Sequence, residues 1–225
     1  MKNSNKLLIA LLTITLIVLL GSNLVIKAEF DKINPNDIFY GYSTKPVKPF
    51  KVIVLKGNVN GFVDVSAGQK SEIKTNPSFE KFVTQKISGD TLTIHIIYPE
   101  RGNNMAAAYT GYGPTVHIET PDINEIYINE ISCALKGFKS NSLKIHSQSG
   151  FTRLENNTIT NLEANQKNGS TLEINKNTFG KAVFEIRDSS RFEVGKDVFT
   201  SIELNADTTA TVSLPGNLLN KFTKK

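Results

Sequence analysis

Leu172-Glu173-Ile174, Phe184-Glu185-Ile186, Phe192-Glu193-Val194 and Ile202-Glu203-Leu204 repeat one phrase, apolar–glutamate–apolar, within residues 143–214. Leu162-Glu163-Ala164 is a weaker copy and Leu154-Glu155 is half of one, while Leu143-Lys144-Ile145 and Val212-Ser213-Leu214 keep the pattern without the acid. In such a triplet the flanking side chains point one way and the centre the other, which makes it a strand fragment. The glutamates fall at Glu155, Glu163, Glu173, Glu185, Glu193 and Glu203, so copies recur roughly every ten residues. A strand this short cannot hold a core alone; repeated short units bury a face only by stacking. The expectation is an all-β fold, a small right-handed parallel β-helix. The matches at 154, 172, 192 and 212, and at 143, 162, 184 and 202, fit a coil of about 20 residues with two marked strands. A coil near 30 with three strands fits the same arithmetic.

Between the strands lie Asn156-Asn157, Asn168-Gly169, Asn175-Lys176-Asn177 and Asp188-Ser189-Ser190. Asn and Gly tolerate the left-handed backbone that sharp corners demand. Asn157, Asn165, Asn175 and Asn205 each stand two residues after a repeat glutamate, so a corner asparagine is expected to belong to the repeat.

Outward from this stretch the texture changes. Residues 1–6 carry Lys2 and Lys6, and an apolar block follows over 7–26, interrupted by Gly21-Ser22-Asn23. That length suits a transmembrane anchor with a cytoplasmic N-terminus. A cleaved signal peptide with Ala28 before the cut is the alternative, weakened by the length of the block and the lack of an A-x-A site. Residues 27–46, with Pro35 and Pro46, read as an extended tether. In residues 47–100, Lys51–Leu55, Phe62–Ser66, Ser71–Lys74 and the two runs flanking Ser88-Gly89-Asp90 read as strands, the last pair as a hairpin. This β-rich segment is expected to cap the coils at 115–215, with residues 216–225 capping the other end. Residues 99–114, rich in Gly and Ala with Tyr109 and Tyr112, form a loop in which the two tyrosines are candidate contacts.

The chain of 225 residues has a formal charge of +5, but its bases are dispersed and no basic, aromatic-interleaved groove appears, which argues against nucleic acid. The single cysteine, Cys133, excludes an internal disulfide framework and reads as a core residue. His95, His117 and His146 lie in separate strands, without a Ser/His/Asp context or metal-ligand spacing. No catalytic, cofactor-binding or metal-binding residue is assigned. Stacked in register, the six repeat glutamates would form a surface ladder that must be balanced by bases such as Lys144, Arg153, Lys176, Arg187 and Arg191, or by a cation row.

Phe50-Lys51-Val52-Ile53-Val54 with Val63-Asp64-Val65 and Gly68, then Gly89-Asp90-Thr91-Leu92-Thr93-Ile94, then a proline-led Ile123-Asn124-Glu125-Ile126-Tyr127, resemble the auto-transporter adhesin head domain called GIN, over roughly residues 47–215. The resemblance implies a bacterial envelope protein, common in Bacteroidetes, with a signal or single anchor and no catalytic residues. In this chain Asn, Lys and Glu replace the Gly-Ser-Gly turns usual in that family. The function expected is non-enzymatic binding or adhesion, toward a glycan or an envelope protein, outside the cytoplasm. The alternatives are a carbohydrate-active β-helix enzyme, which the short turns disfavour by leaving little cleft, and a purely structural or sensory envelope component.

Overall fold

A computed structural model of the chain describes residues 3–34, 37–58, 61–98 and 113–223. It divides into two units, Met1–Tyr40 and Gly41–Lys225. The first holds helix α1 (Asn3–Phe30), long and apolar enough to cross a membrane, with a mean hydropathy of 2.5 over its central window. The helix continues through Gly21-Ser22-Asn23. Thr13, Thr15 and Ser22 donate their hydroxyls to the carbonyls of Ile9, Leu11 and Val18 one turn back, so these three hydroxyls are satisfied within the helix.

The second unit is mostly β. Its strands are β1 (Ser43–Pro46), β2 (Val52–Gly57), β3 (Phe62–Ala67), β4 (Glu72–Thr75), β5 (Val83–Ser88), β6 (Thr91–Ile96), β7 (Val116–Thr120), β8 (Glu125–Asn129) and β9 (Ser132–Lys136). They continue as β10 (Lys139–Gln148), β11 (Phe151–Glu155), β12 (Thr158–Lys167), β13 (Thr171–Asn175), β14 (Thr178–Ile186), β15 (Arg191–Val194), β16 (Phe199–Ala206) and β17 (Thr211–Ser213), and a helix α2 (Gly216–Thr223) closes the chain. Two mixed sheets result. Sheet A runs β1-β4-β7-β3-β9-β11-β13-β15-β17, and sheet B runs β16-β14-β12-β10-β8-β2-β6-β5.

From β8 onward the strands alternate between the sheets and pair in parallel with the strand two further on. Phe151 faces Thr171, Thr171 faces Arg191 and Arg191 faces Thr211, a step of 20 residues. That register sets a repeat of 20 residues rather than 30. The apolar members of the repeated phrase face inward: Leu154, Leu162, Leu172, Ile174, Phe184, Ile186, Phe192 and Val194 are all buried.

Two expectations about the earlier segments are corrected. Residues 43–46, expected in an extended tether, form β1, an antiparallel edge strand on β4. Its Pro46 sits where a missing N–H is tolerated, at the edge of a sheet. Strands β2 and β3, expected in an end-covering module, are interior rungs: β2 lies between β6 and β8, and β3 between β7 and β9, all in parallel. The chain lays down this rung, leaves through β4, β5 and β6, and returns on its other side with β8. Among the described residues antiparallel pairing is confined to β1–β4, β4–β7 and the β5–β6 hairpin, where Gly89 supplies φ of 61°.

The corners also differ from expectation. Asn165 and Asn205 lie inside β12 and β16, and Asn175 ends β13; of the four, only Asn157 occupies a corner. The left-handed corner positions are Gly137, Asn156 and Lys176 on one side, and Glu130, Ser149-Gly150, Asn168-Gly169 and Asp188-Ser189 on the other. What recurs at the first corner is Asn157, Asn177 and Asp197. Asn157 Oδ1 accepts from Phe138 N–H (2.9 Å), its Nδ2 donates to the Leu135 carbonyl (3.0 Å) and to Asn177 Oδ1 (2.9 Å), and its own N–H donates to Asn177 Oδ1 (2.8 Å). Asn177 Nδ2 donates in turn to the Leu154 carbonyl at 2.7 Å. This internal ladder satisfies backbone groups that the turning chain leaves without a sheet partner.

Asp197 ends the ladder. Its Oδ1 accepts from Phe199 N–H (3.1 Å), and Lys221 of α2 lies 2.7 Å from its Oδ2 while donating to the Phe199 carbonyl at 2.7 Å. Leu218 of α2 is buried in the core. Burial pushes the Asp197 carboxyl up, but the hydrogen bonds from Lys221 and Phe199 N–H, with the lysine's charge, bring it below the usual value. A lowered folded-state pKa stabilises above the unfolded value of about 3.9 and is lost as pH falls through the folded value. Acidification is therefore expected to release α2 before the sheets melt. Amide exchange at Leu218–Phe222 would show this, and Lys221→Gln would remove the acid-labile component.

Candidate functional site

Three of the columns formed by the outward residues of sheet B surround the site. The first holds Val52, Glu125, Lys144, Glu163, Val183 and Glu203 in register. The second holds Val54, Tyr127, His146, Asn165, Glu185 and Asn205, and the third Lys56, Asn129, Gln148 and Lys167. Adjacent rungs stand ~4.8 Å apart, so side chains along a column touch.

Tyr127 and His146 exploit that spacing. Their rings stack at 4.7 Å between centroids and 14° between planes. Glu125 fixes both from the neighbouring column: Tyr127 Oη donates to Glu125 Oε1 (2.8 Å), and His146 Nε2 lies 3.0 Å from the same oxygen. The bond to Glu125 raises the Tyr127 phenol above its usual pKa, with burial and the carboxylate's charge adding to it, and so keeps it a donor. Tyr127 is 40% exposed, a large aromatic on an open sheet face. Val54, one rung before it, is short and leaves room beside the ring face that His146 does not cover. The resulting depression, about 510 Å³, is lined by Val54, Lys56, Tyr127, Asn129, His146, Gln148, Asn165, Lys167 and Glu185. An aromatic wall beside several amides and two cations offers an apolar contact together with donors and acceptors at fixed positions. A larger depression, about 710 Å³, runs along residues 174–179 and 195–200. Its polar side chains include Asn177 and Asp197, which the corner ladder already engages.

The repeat glutamates are divided by the register. Glu173 and Glu193 face each other in sheet A, with Arg153 on the far side of Glu173. Glu155 faces Asn175 in the same sheet. In sheet B, Glu163 and Glu203 share a column but Val183 separates them, and Glu185 lies in the next column. Bases meet five of the six: Arg153 holds Glu173 (3.0 Å), Arg191 holds Glu193 (3.3 Å), Lys144 holds Glu163 (3.3 Å), Arg187 holds Glu185, and Arg153 and Lys136 flank Glu155 at 3.8 and 4.0 Å. Among the described residues no group of three or more His, Cys, Asp or Glu is placed to hold a metal ion. Tyr109 and Tyr112 lie outside the described residues.

One further cluster escaped the sequence reading. Asp64 Oδ2 lies 3.0 Å from His117 Nδ1, and His117 Nε2 lies 3.4 Å from Ser66 Oγ, an acid–imidazole–hydroxyl line across β3 and β7. Lys136 occupies the other carboxylate oxygen at 2.6 Å, and both Asp64 and His117 are buried. Burial raises the Asp64 carboxyl, but His117 and Lys136 outweigh it and hold the carboxyl below its usual value. The lysine already balances the charge a general base would draw on, and the arrangement secures a buried acid between rungs. Cys133 is buried beneath it, its thiol pushed well up by burial and by the charge of Asp64.

No protein-family model and no curated protein matches the chain. Solved structures do. A "putative adhesin" of Bacteroides fragilis is 11% identical with a TM-score of 0.39, covering 76% of this chain and 95% of its own. A "putative lipid binding protein" of Parabacteroides distasonis is 12% identical with a TM-score of 0.42, covering 76% and 93%. A "putative cell adhesion protein" of Clostridium sporogenes is 15% identical with a TM-score of 0.32, covering 76% and 95%.

Proposed function

We propose that this chain is an exported, membrane-anchored, non-enzymatic binding module of the bacterial envelope, and that the outer face of sheet B binds a glycan at Tyr127 and His146. The parallel 20-residue register supports reading the two sheets as a small right-handed β-helix of the GIN type, with β2 and β3 drawn into the stack. Helix α1, preceded by Lys2, supports an anchor with the β unit outside the cytoplasm. A mature chain beginning at Glu29 would overturn the anchor and leave a secreted module.

The single observation behind the glycan reading is the Tyr127–His146 stack, tied to Glu125 and bordered by Asn129, Gln148 and Asn165. Sugar rings present an apolar face and a rim of hydroxyls, the complement of an aromatic beside amides. Binding of the full-length chain in detergent micelles to a glycan array tests it. Tyr127→Ala is expected to weaken the glycans retained by the native protein by at least about tenfold, roughly the worth of one aromatic contact of 1.4 kcal/mol. Glu173→Gln, on the other sheet, should leave them unchanged. Retention unaffected by Tyr127→Ala would move the site elsewhere.

A further inference from the structure

Resting on that reading, we infer that the glycan is acidic, with anionic groups held by Lys56 and Lys167 at the two ends of the depression. These lysines belong to one column and are three rungs apart, Lys56 facing Asn129, Asn129 facing Gln148 and Gln148 facing Lys167. At ~4.8 Å per rung they stand about 14 Å apart, so one ligand meeting both must be longer than a single sugar ring. Both are exposed and line the same depression as Tyr127. Three carboxylates of this face are committed elsewhere: Glu125 to Tyr127 and His146, Glu185 to Arg187, and Glu163 to Lys144. Among the described residues neither ammonium has an ion-pair partner, in contrast to Lys144 on the same face. An ammonium outside any such pair, beside amides that bind hydroxyls, selects an anion on the same ligand. Lysine suits this role, because its long stem lets a point charge follow carboxylates or sulfates at differing positions.

The test sets hyaluronate, alginate and polygalacturonate oligosaccharides beside their carboxyl-reduced forms, which keep the rings and lose the charge. The full-length chain in neutral detergent is expected to prefer an acidic form by about tenfold, with the preference shrinking as salt is raised. The Lys56→Gln, Lys167→Gln double variant should bind the acidic and reduced forms alike, at the affinity the native protein shows for the reduced form. If the native protein binds both forms equally and Tyr127→Ala abolishes both, the glycan site stands and the acidic inference falls. An acidic preference that survives in the double variant also overturns the inference, placing charge recognition elsewhere. If Tyr127→Ala leaves the binding of both forms untouched, the site itself is refuted along with the inference.

Discussion

Asn157→Ala is expected to lower the stability of the β unit by about 4 kcal/mol, because two or three buried groups lose partners at ~1–3 kcal/mol each. Asn157 is 1% exposed. Its loss strands the Phe138 N–H and the Leu135 carbonyl and removes one of the two bonds reaching Asn177 Oδ1. Stacked repeats can melt piecewise, so a single unfolding midpoint would understate the effect. Amide exchange at Phe138, beside denaturant melts of the full chain in detergent, reads the local loss. Asn157→Asp should be no better, since it keeps the acceptor, removes both side-chain donors and buries a charge. Asn161→Ala is the control: its side chain also donates to the rung below, to the Asn141 carbonyl at 3.1 Å, but it is exposed and should cost under about 0.5 kcal/mol.

Gly150→Ala is expected to cost about 3 kcal/mol at the opposite corner. Gly150 has φ of 108°, a conformation an L side chain rarely adopts, and a Cβ there would stand 2.3 Å from the Ile131 carbonyl oxygen. The backbone strain costs ~1–3 kcal/mol, and relieving a contact with backbone rather than a flexible side chain adds ~1–3. Gly169→Ala separates the two terms. Gly169 has φ of 73° with nothing within 4 Å of the added carbon, so it should show the strain alone, about 1 kcal/mol. Equal losses at the two glycines would mean that the close approach of Gly150 to the Ile131 backbone is not a constraint on the fold.

The contrast between these corners shows how much of the fold was legible beforehand. The apolar triplets could be read because period-two alternation is local, and the structure turns their apolar members inward, buried up to Val194 and partly buried from Ile202 on. The ladder asparagines could not be picked out from the glutamate spacing, because the relevant relation is between Asn157 and Asn177, 20 residues apart, rather than between Asn157 and Glu155. The insertion of β2 and β3 between later rungs leaves no local trace: Val52–Gly57 reads as a strand wherever in the sheet it pairs. The candidate site was missed for the same reason. Tyr127, His146 and Glu125 are separated by up to 21 residues and meet only through the β8–β10 register. One signal was available, since Ile126-Tyr127-Ile128 and Ile145-His146-Ser147 each place an aromatic ring at the outward centre of a strand triplet. The glutamates drew attention because they repeat, and the structure gives five of them basic neighbours.

The most direct test of the account is to map the ligand on the molecule. Amide and side-chain resonances of the full-length chain in detergent would be followed while a glycan retained on the array is titrated in. The account predicts saturable shifts centred on Tyr127, His146, Gln148 and Asn165 of sheet B, with the Arg153–Glu173 face of sheet A silent. Shifts centred on sheet A, or on the corner groove at 174–179 and 195–200, would contradict it.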